Sequence, residues 1–185
     1  MKTKMIIVAA PSGAGKSSFV ERIAKEEPRL YDVATHTTRS MRHSESQGKP
    51  YFFIPKEEFE QKIRQGFFVE WAEVHLNMYG TSYEQLESAW ARQKVVIMDI
   101  DIQGVVTFKS KYPDAKTVFI LPPSIDELRR RVIKRDGGVP VDLEVRMSTA
   151  EKEMKMAGEF DVRIVNDDFE RSYAEFKKTV EKWIS

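Results

Sequence analysis

The sequence predicts an α/β fold in which helices cover both faces of a parallel β-sheet. Residues 5–10, 95–100 and 117–121 are β-rich runs with little polar interruption, and residues 162–165 form a shorter one. Strands that are buried on both faces have this pattern, whereas half-exposed strands alternate apolar and polar residues. Helical patterns occupy the intervals between the runs, so strands and helices alternate along the chain.

Two helices have clear signals. Ser124 and Glu127 form a capping-box pattern, and Ile125, Leu128 and Val132 follow at helical spacing. Near the C-terminus an apolar face recurs at helical intervals and consists of Phe169, Tyr173, Phe176, Val180 and Trp183. This periodicity predicts a C-terminal helix that docks through that face.

Residues 33–82 interrupt the alternation. The segment is aromatic and strand-rich, contains a short helical stretch at 56–65, and is broken by glycines. It predicts a small mixed α+β lobe inserted between the first and second parallel strands. We therefore expect a single domain with three parts: a core of about 1–33, 83–125 and 152–185, a lobe of about 34–82, and a helical segment of about 126–151.

Composition excludes several classes of protein. The chain has 185 residues, no cysteine, and 30 Lys and Arg against 29 Asp and Glu. The lack of cysteine excludes disulfides, Cys-ligated zinc, iron–sulfur clusters and thiol catalysis. A net charge of +1 argues against a protein that coats nucleic acid or an anionic membrane. The first apolar run is too short for a signal peptide or a spanning helix, so a cytoplasmic protein is expected.

A phosphate-binding loop follows the first predicted strand. Residues 11–17 read Pro-Ser-Gly-Ala-Gly-Lys-Ser and precede a helical pattern at 17–26, which is the setting of a Walker A motif. The backbone N–H groups are expected to hold phosphate oxygens, with Lys16 at the β- and γ-phosphates and Ser17 on Mg²⁺. The loop residues expected to bind ATP are Ser12, Gly13, Ala14, Gly15, Lys16, Ser17 and Ser18. By itself this motif fits a kinase, a GTPase or an ATPase equally well.

Further motifs in the sequence discriminate between a kinase, a GTPase and an ATPase. They are Thr35-His36-Thr37-Thr38-Arg39-Ser40-Met41-Arg42 with Glu45, Gly48 and Tyr51; Glu70-Trp71-Ala72; Tyr79-Gly80-Thr81; Asp99-Ile100-Asp101-Ile102-Gln103-Gly104; Pro122-Pro123-Ser124; Arg135 with Arg146; and Ile164-Val165-Asn166-Asp167-Asp168. In this order they resemble the guanylate kinase family, from residue 5 to about residue 168. Bacterial members of that family carry alanine at the position of Ala10, where the Walker motif usually has glycine.

The resemblance implies ATP-dependent phosphorylation of GMP, and also of dGMP, with Mg²⁺ as cofactor. It implies a P-loop kinase fold in which the lobe at 34–82 binds GMP and the segment at 126–151 is a lid. The expected partners are ATP and GMP, with no nucleic acid and no membrane. Whether the chain is a monomer or a homo-oligomer is left open.

The chemistry of guanine indicates which residue reads the base. Guanine presents two donors side by side, N1–H and the 2-amino group, and a carboxylate can accept from both, so Glu70 is expected to bind them. The alternative is that Glu70 is an ordinary surface carboxylate. Thr35 and Thr81, where the family usually has serine, are expected to donate to O6. The GMP phosphate is assigned to Arg39 and Arg42, whose forked guanidinium groups suit bidentate binding, and to Tyr51 and Tyr79.

The remaining assignments concern the metal and the lid. Asp99 ends a buried strand and is expected to act on Mg²⁺ through water. Asp101, two residues on, is expected on the same side if the strand continues. The resemblance implies that it orients an arginine or contacts guanine; the alternative is that it caps the strand end. The resemblance assigns ATP contacts to Asn166 and catalytic phosphate contacts to Arg135 and Arg146, beside Lys16 and Arg39. After Arg135 the chain departs from the family and reads Asp136-Gly137-Gly138.

Three other functions are compatible with parts of the pattern. A non-catalytic guanylate-kinase-like module that binds phosphopeptides lacks the phosphate loop, which is present here. A related kinase that phosphorylates a ribose bisphosphate lacks the carboxylate that reads guanine. A GTPase needs an Asn-Lys-x-Asp motif, which does not occur in this chain. No general base is expected, because a phosphate oxygen is already an anionic nucleophile.

Overall fold

A computed structural model of the chain describes residues 5–43, 45–74 and 76–185. The α/β class is confirmed, with a parallel sheet of five strands and a second, mixed sheet of four. In chain order the strands are β1 (Met5–Ala9), β2 (Leu30–Asp32), β3 (Thr35–Thr37), β4 (Tyr51–Phe53), β5 (Phe68–Val74), β6 (Asn77–Ser82), β7 (Val95–Asp99), β8 (Lys116–Leu121) and β9 (Val162–Val165). The helices are α1 (Lys16–Glu26), α2 (Lys56–Arg64), α3 (Tyr83–Ala91), α4 (Ile102–Lys111), α5 (Ile125–Asp136), α6 (Leu143–Lys155) and α7 (Phe169–Ile184), with a 3-10 helix at Met156–Glu159.

The parallel sheet has the order β2-β7-β1-β8-β9, and its central strand β1 is buried along its whole length. Alternate residues of β1 serve opposite faces, because side chains alternate across a strand. Ile6 and Val8 pack into a core with α1, α5, α6 and α7, which includes Phe19 and Phe176. Ile7 packs with α3 and α4 on the other face. Burial on both faces explains why these strands are continuous apolar runs.

The position of the lobe was predicted incorrectly. The chain forms β2 before entering the mixed sheet, so that sheet is inserted between the second and third parallel strands. β2 has three residues and lies at the edge of the sheet, and only Leu30 is buried. A strand this short and half exposed carries no apolar run, and its pairing with β7 depends on a tertiary contact.

The mixed sheet has the order β4-β3-β6-β5 and is built from residues 35–82. Its β5 and β6 strands form an antiparallel hairpin, while β3 and β4 are parallel. Phe59 of α2 packs on Phe68 with ring centroids 4.5 Å apart, and His36 stacks on Phe52 at 4.9 Å. These aromatic contacts give the small sheet a core of its own.

The strand order places the candidate site. β1 lies between β7 and β8, which follow later in the chain, so the connections diverge on either side of β1. Ligands of such sheets bind beyond the carboxyl ends of the strands at this point. The phosphate loop follows β1, and Asp99 ends β7 directly beside it, in register with Val8. Within the described residues no helix combines the length and apolar character needed to cross a membrane.

Candidate active site

Two cavities meet beyond the carboxyl ends of β1 and β7. The larger, of about 850 Å³, lies between the phosphate loop, α1 and the chain at residues 42–51. The smaller, of about 160 Å³, lies between the loop, the mixed sheet, the start of α4 and one face of α6. Both are lined by Lys16, Ser17, Arg42, Tyr51 and Arg135. The loop and the mixed sheet therefore face one continuous cleft.

The phosphate loop depends on two glycines. Gly13 and Gly15 have φ angles of 98° and 101°, in the left-handed region that favours glycine. A Cβ atom on Gly15 would lie 2.8 Å from Nδ2 of Asn166, which donates a 2.8 Å hydrogen bond to the Ala14 carbonyl. Ala10 is under no comparable strain, since the non-glycine residues with positive φ in the described chain are Leu76 and Gln93.

Ser17 and Asp99 bring two oxygen atoms together beside the loop. The Ser17 hydroxyl donates to Oδ2 of Asp99 over 2.7 Å. Burial raises the pKa of Asp99, and the charge of Lys16 and the bond from Ser17 oppose that rise. Hydroxyl and carboxylate oxygens are the donors that Mg²⁺ prefers. The described residues contain no cluster of three or more His, Asp or Glu side chains arranged for a metal. This pair therefore suits an ion that takes its other ligands from phosphates and water.

Glu70 is a buried carboxylate that opens onto the smaller cavity. Its side chain belongs to β5 and is only 6% exposed as a residue. Oε1 accepts two hydrogen bonds from Thr81, one from the hydroxyl at 2.8 Å and one from the backbone N–H at 3.1 Å. Burial raises the pKa of Glu70 to about 7, against the effect of the Thr81 bonds. No hydrogen bond to Oε2 is found among the described residues, so this oxygen is open to a ligand's donors.

Arg39 and Arg42 enter the cleft from the chain after β3. Arg39 donates from Nη2 to Oε1 of Glu45 over 2.7 Å, and its guanidinium lies 5.4 Å from the centre of the Tyr51 ring. The other oxygen of Glu45 accepts from the backbone N–H of Arg42 over 2.8 Å. Tyr79 lies beside Tyr51, with ring centroids 5.8 Å apart. The two arginines and the two tyrosines all line the smaller cavity, where guanidinium and phenol groups can bind a phosphate together.

Arg135 and Arg146 reach the same cavity from α5 and α6. Asp136 lies between them and accepts hydrogen bonds from both. Arg135 also donates to the hydroxyl of Ser12 in the phosphate loop over 3.3 Å. Arg146 donates from Nε to Asp142 over 2.9 Å. The structure thus places four arginines and Lys16 around one small cavity.

Comparison with known proteins identifies what this cleft belongs to. The family model for guanylate kinase matches residues 2–183. A curated guanylate kinase of Bdellovibrio bacteriovorus is 70% identical over 181 residues, which are 98% of each chain. The chain belongs to the guanylate kinase family. A guanylate kinase of Polaromonas sp. is 42% identical over 95% of this chain and 85% of the relative.

A solved structure agrees with this family assignment. The crystal structure of guanylate kinase from Anaplasma phagocytophilum matches with a TM-score of 0.80 and 27% identity, covering 97% of this chain and 85% of that one. This member of the guanylate kinase family is therefore an enzyme, a nucleotide kinase. The three alternatives, a phosphopeptide-binding module, a ribose bisphosphate kinase and a GTPase, gain no support from these relatives.

Most residues predicted for the guanylate kinase site line the cleft. Those that do are Ser12, Gly13, Gly15, Lys16, Ser17, Ser18, Thr35, Arg39, Arg42, Tyr51, Glu70, Tyr79, Asp99, Asp101, Arg135 and Arg146. Three predicted contacts line neither cavity, namely Ala14, Thr81 and Asn166. Thr81 is fully buried and its hydroxyl hydrogen is used on Glu70, so in this geometry it has no free donor for guanine O6. Asn166 is buried behind the loop and supports Ala14.

Asp101 was expected on the same side as Asp99 if the strand continued, and the strand does not continue. β7 ends at Asp99, so the alternation of a strand does not extend to Asp101. Asp101 is instead the N-cap of α4, where Oδ1 accepts from the backbone N–H groups of Gln103 and Gly104 at 2.7 and 3.1 Å. Asp101 thus caps the start of a helix and not the end of the strand, as the capping alternative had it, and it also lines the smaller cavity.

Two residues of the site were missed from the sequence. Glu153 lies seven residues after Arg146 on the same face of α6 and lines the smaller cavity, where burial raises its pKa to about 7. The helical spacing from Arg146 was the signal that could have found it. Gly104 packs against Glu70, and a Cβ atom there would lie 3.1 Å from Oε2. Its place in the Asp99–Gly104 motif carried no hint of this steric role.

Proposed function

We propose that the chain transfers the γ-phosphoryl group of ATP to the phosphate of GMP, giving ADP and GDP. The observation that carries the proposal is that Glu70 and Lys16 line one cavity. Glu70 is a buried carboxylate with one oxygen held by Thr81 and the other open, and Lys16 belongs to a phosphate loop. The carboxylate assigned to guanine and the lysine assigned to the triphosphate thus line the same cavity, which has a volume of about 160 Å³.

The acceptor side binds guanine and its phosphate separately. Oε2 of Glu70 accepts from N1–H and the 2-amino group of guanine, while the two donors from Thr81 hold Oε1 in place. Adenine presents a ring acceptor where guanine has N1–H, so it leaves the buried carboxylate unpaired. Sites that depend on buried hydrogen bonds reject such analogues by roughly 10⁴- to 10⁵-fold. The hydroxyl of Thr35 donates to O6 of guanine.

The phosphate of GMP is bound by two guanidinium and two phenol groups, those of Arg39, Arg42, Tyr51 and Tyr79. The residues assigned to GMP bind the base and the phosphate and not the sugar, so dGMP is expected to be a substrate as well.

The donor side is the phosphate loop. Residues 12–18 bind the β- and γ-phosphates of ATP through backbone N–H groups and the N-terminus of α1, with Lys16 on the transferred phosphoryl group. Asn166 holds the loop through its bond to the Ala14 carbonyl. Ser17 would ligate Mg²⁺ through its hydroxyl, and Asp99 would act on the ion through water. Bound Mg²⁺ neutralises charge on the phosphates.

The transfer itself needs orientation and charge neutralisation. An anionic phosphate oxygen of GMP forms a bond to the γ-phosphorus of ATP, and the bond from that phosphorus to the β–γ bridging oxygen breaks, leaving ADP. Lys16, Arg39, Arg135 and Arg146 hold the transferred group, the attacking oxygen and the leaving oxygen in line. Guanidinium groups suit this work because they present several donors in a fixed plane. We further propose that the lobe at 34–82 and the lid at 126–151 close over the bound nucleotides and exclude water.

The decisive experiment measures ADP release with GMP, dGMP, AMP, UMP and CMP as acceptors. We expect turnover with GMP and dGMP, and at most traces with the other three. Glu70→Gln should lower kcat/KM for GMP roughly 100-fold, because the amide offers one acceptor and sets a donor against a guanine donor. Glu73→Gln is the matched control, since Glu73 lies on the same strand but is exposed. Equal turnover of AMP and GMP by the unaltered enzyme would contradict the role of Glu70.

A second variant tests the donor side alone. Lys16→Met removes the ammonium group from the loop and should abolish turnover, while GMP still binds in calorimetry. A simultaneous loss of GMP affinity would show that Lys16 does something other than bind ATP.

A further inference from the structure

Asp136 joins two arginines that lie on different helices. Oδ1 of Asp136 accepts from Nε of Arg135 over 2.7 Å, and Oδ2 accepts from Nη2 of Arg135 over 3.3 Å. Oδ2 also accepts from Nη1 of Arg146 over 2.9 Å. The side chain of Asp136 is 20% exposed and that of Arg146 is 19% exposed, so the bridge is partly shielded from solvent. A surface ion pair contributes little, whereas a partly shielded carboxylate with a forked contact to Arg135 and a single contact to Arg146 restricts both partners.

Each arginine keeps donors that Asp136 does not use. A guanidinium has five N–H groups, and Asp136 takes two from Arg135 and one from Arg146. Nη1 of Arg135 points to the Ser12 hydroxyl in the phosphate loop, at 3.3 Å. Both arginines line the smaller cavity, whereas Asp136 lines neither. The carboxylate therefore lies behind the two guanidinium groups and leaves donors on their cavity side.

Electrostatics explain why such a carboxylate matters here. Arg39, Arg42, Arg135, Arg146 and Lys16 surround the smaller cavity. Burial and the charges of Arg39 and Arg135 lower the pKa of Arg42, while Glu45 and Asp136 oppose this. Hydrogen bonds from Arg135 lower the pKa of Asp136, with the charges of Arg146 and Arg42 adding to the effect. A charged carboxylate between two guanidinium groups offsets the repulsion that would otherwise separate them.

A carboxylate also contacts the two arginines on the acceptor side. Glu45 accepts from the Arg39 side chain over 2.7 Å and from the backbone N–H of Arg42 over 2.8 Å. Each pair of arginines thus has a carboxylate in contact with it, although Glu45, unlike Asp136, itself lines the larger cavity.

We propose that Asp136 is a positioning residue that holds Arg135 and Arg146 as one unit during phosphoryl transfer and stays paired with them throughout. The inference rests on the proposed function, in which these two arginines bind the transferred group. It predicts that removing the carboxylate loosens both guanidinium groups at once, which slows the chemical step and leaves the binding of GMP unchanged.

The test compares Asp136→Asn with Glu144→Gln. Asparagine keeps the size of the side chain and removes its charge. Glu144 forms an ion pair with Arg129 that also connects α6 to α5, but neither residue lines either of the two cavities of the cleft. We expect Asp136→Asn to lower kcat roughly 10- to 100-fold, the range for loss of a charge-assisted hydrogen bond, with KM for ATP unchanged. Glu144→Gln should retain the kcat of the unaltered enzyme.

Two further variants make the outcome decisive. Asp136→Glu keeps the carboxylate and should recover part of the lost kcat. In an Arg146→Met background, Asp136→Asn should cost less than it does alone, because one of its two partners is gone. A kcat/KM for ATP that rises in Asp136→Asn would overturn the proposal, since the carboxylate would then be competing with phosphate. An equal loss in Glu144→Gln would also overturn it.

Variants of the two arginines distinguish a failure of the proposed function from a failure of the role proposed for Asp136. If Arg135→Met and Arg146→Met both retain full activity, the roles of the arginines are wrong whatever Asp136 does. If both arginine variants lose activity and Asp136→Asn does not, the proposal for Asp136 alone fails.

Discussion

Thr81 donates both its hydroxyl and its backbone N–H to a single oxygen of Glu70, over 2.8 and 3.1 Å. The two residues face each other in the β5–β6 hairpin, where Glu70 and Thr81 are register partners. A hairpin partner therefore orients the carboxylate that we assign to guanine. The second oxygen of Glu70 stays open to the cavity because Gly104 has no side chain in the way.

Replacement of the Thr81 hydroxyl should weaken GMP recognition through Glu70. Thr81→Val keeps the shape and the backbone donor and removes one hydrogen bond to a charged acceptor, which contributes about 1.5 kcal/mol. We expect kcat/KM for GMP to fall roughly 10-fold. Thr107→Val is the control, because the Thr107 hydroxyl bonds only to the Gln103 carbonyl on α4 among the described contacts. In a Glu70→Gln background, Thr81→Val should have little further effect, and a full additional loss would indicate a direct contact with GMP.

The affinity for GMP should depend on pH near neutrality. Burial raises the pKa of Glu70 to about 7, and the protonated carboxyl group carries a donor that opposes the donors of guanine. The binding-competent carboxylate is therefore lost as pH falls through 7. The dissociation constant for GMP in calorimetry should rise roughly 10-fold between pH 8 and pH 6. Glu70→Gln carries the same titration of the GMP phosphate, so the difference between the two proteins isolates Glu70. Identical pH profiles would contradict the prediction.

The support of the phosphate loop can be tested at Asn166. Asn166→Ala removes the donor to the Ala14 carbonyl and leaves that buried group unpaired, at a cost of about 1–3 kcal/mol. Because the loop conformation suffers and the mixed sheet does not, KM for ATP should rise at least about 10-fold while GMP affinity is kept. Asp167→Asn is the neighbouring control, since Asp167 is exposed. An unchanged KM for ATP would show that the loop keeps its shape without this bond.

His36 should make the mixed sheet sensitive to acid. It is 8% exposed and packs against Phe52, Phe67 and Phe68, and its Nδ1 has no hydrogen-bond partner among the residues that the structure describes. Burial lowers its pKa to about 4, and the charge of Lys62 adds to this. The unfolded chain, with a His pKa near 6.5, binds the proton more strongly, so stability is lost as pH falls from about 6.5 towards 4.

The expected loss from His36 is about 2 kcal/mol of unfolding free energy between pH 7 and pH 5. Urea denaturation of the unaltered enzyme and of His36→Leu at both pH values measures it. Buried carboxyls such as Glu70 and Glu153, whose pKa values are raised to about 7, shift stability in the opposite direction in both proteins. The difference between the two pH dependences therefore reports on His36. A difference near zero would mean that His36 is not neutral and buried in solution.

Much of the fold could be predicted because burial on both faces leaves a direct record in composition. β1, β7 and β8 are nearly uninterrupted apolar runs, and α7 repeats its apolar face along its whole length. β2 was not predicted, because an edge strand of three residues with only one buried does not form an apolar run. Its existence depends on pairing with β7, about 65 residues away in the chain.

The candidate site, like the fold, could be predicted from the sequence only in part. The sequence by itself determined the phosphate loop and the residue types that face the cleft, because the loop needs glycines at defined positions and a lysine after them. Only the tertiary structure decided what supports them. It turned the Thr81 hydroxyl toward Glu70, placed Asn166 behind Ala14, and set Asp136 between Arg135 and Arg146. Those contacts join segments that are 10 to 152 residues apart in the chain, apart from the adjacent Arg135–Asp136 pair. Local sequence patterns carry helix and strand periods, but distant side chains meet only when the sheets and helices have packed.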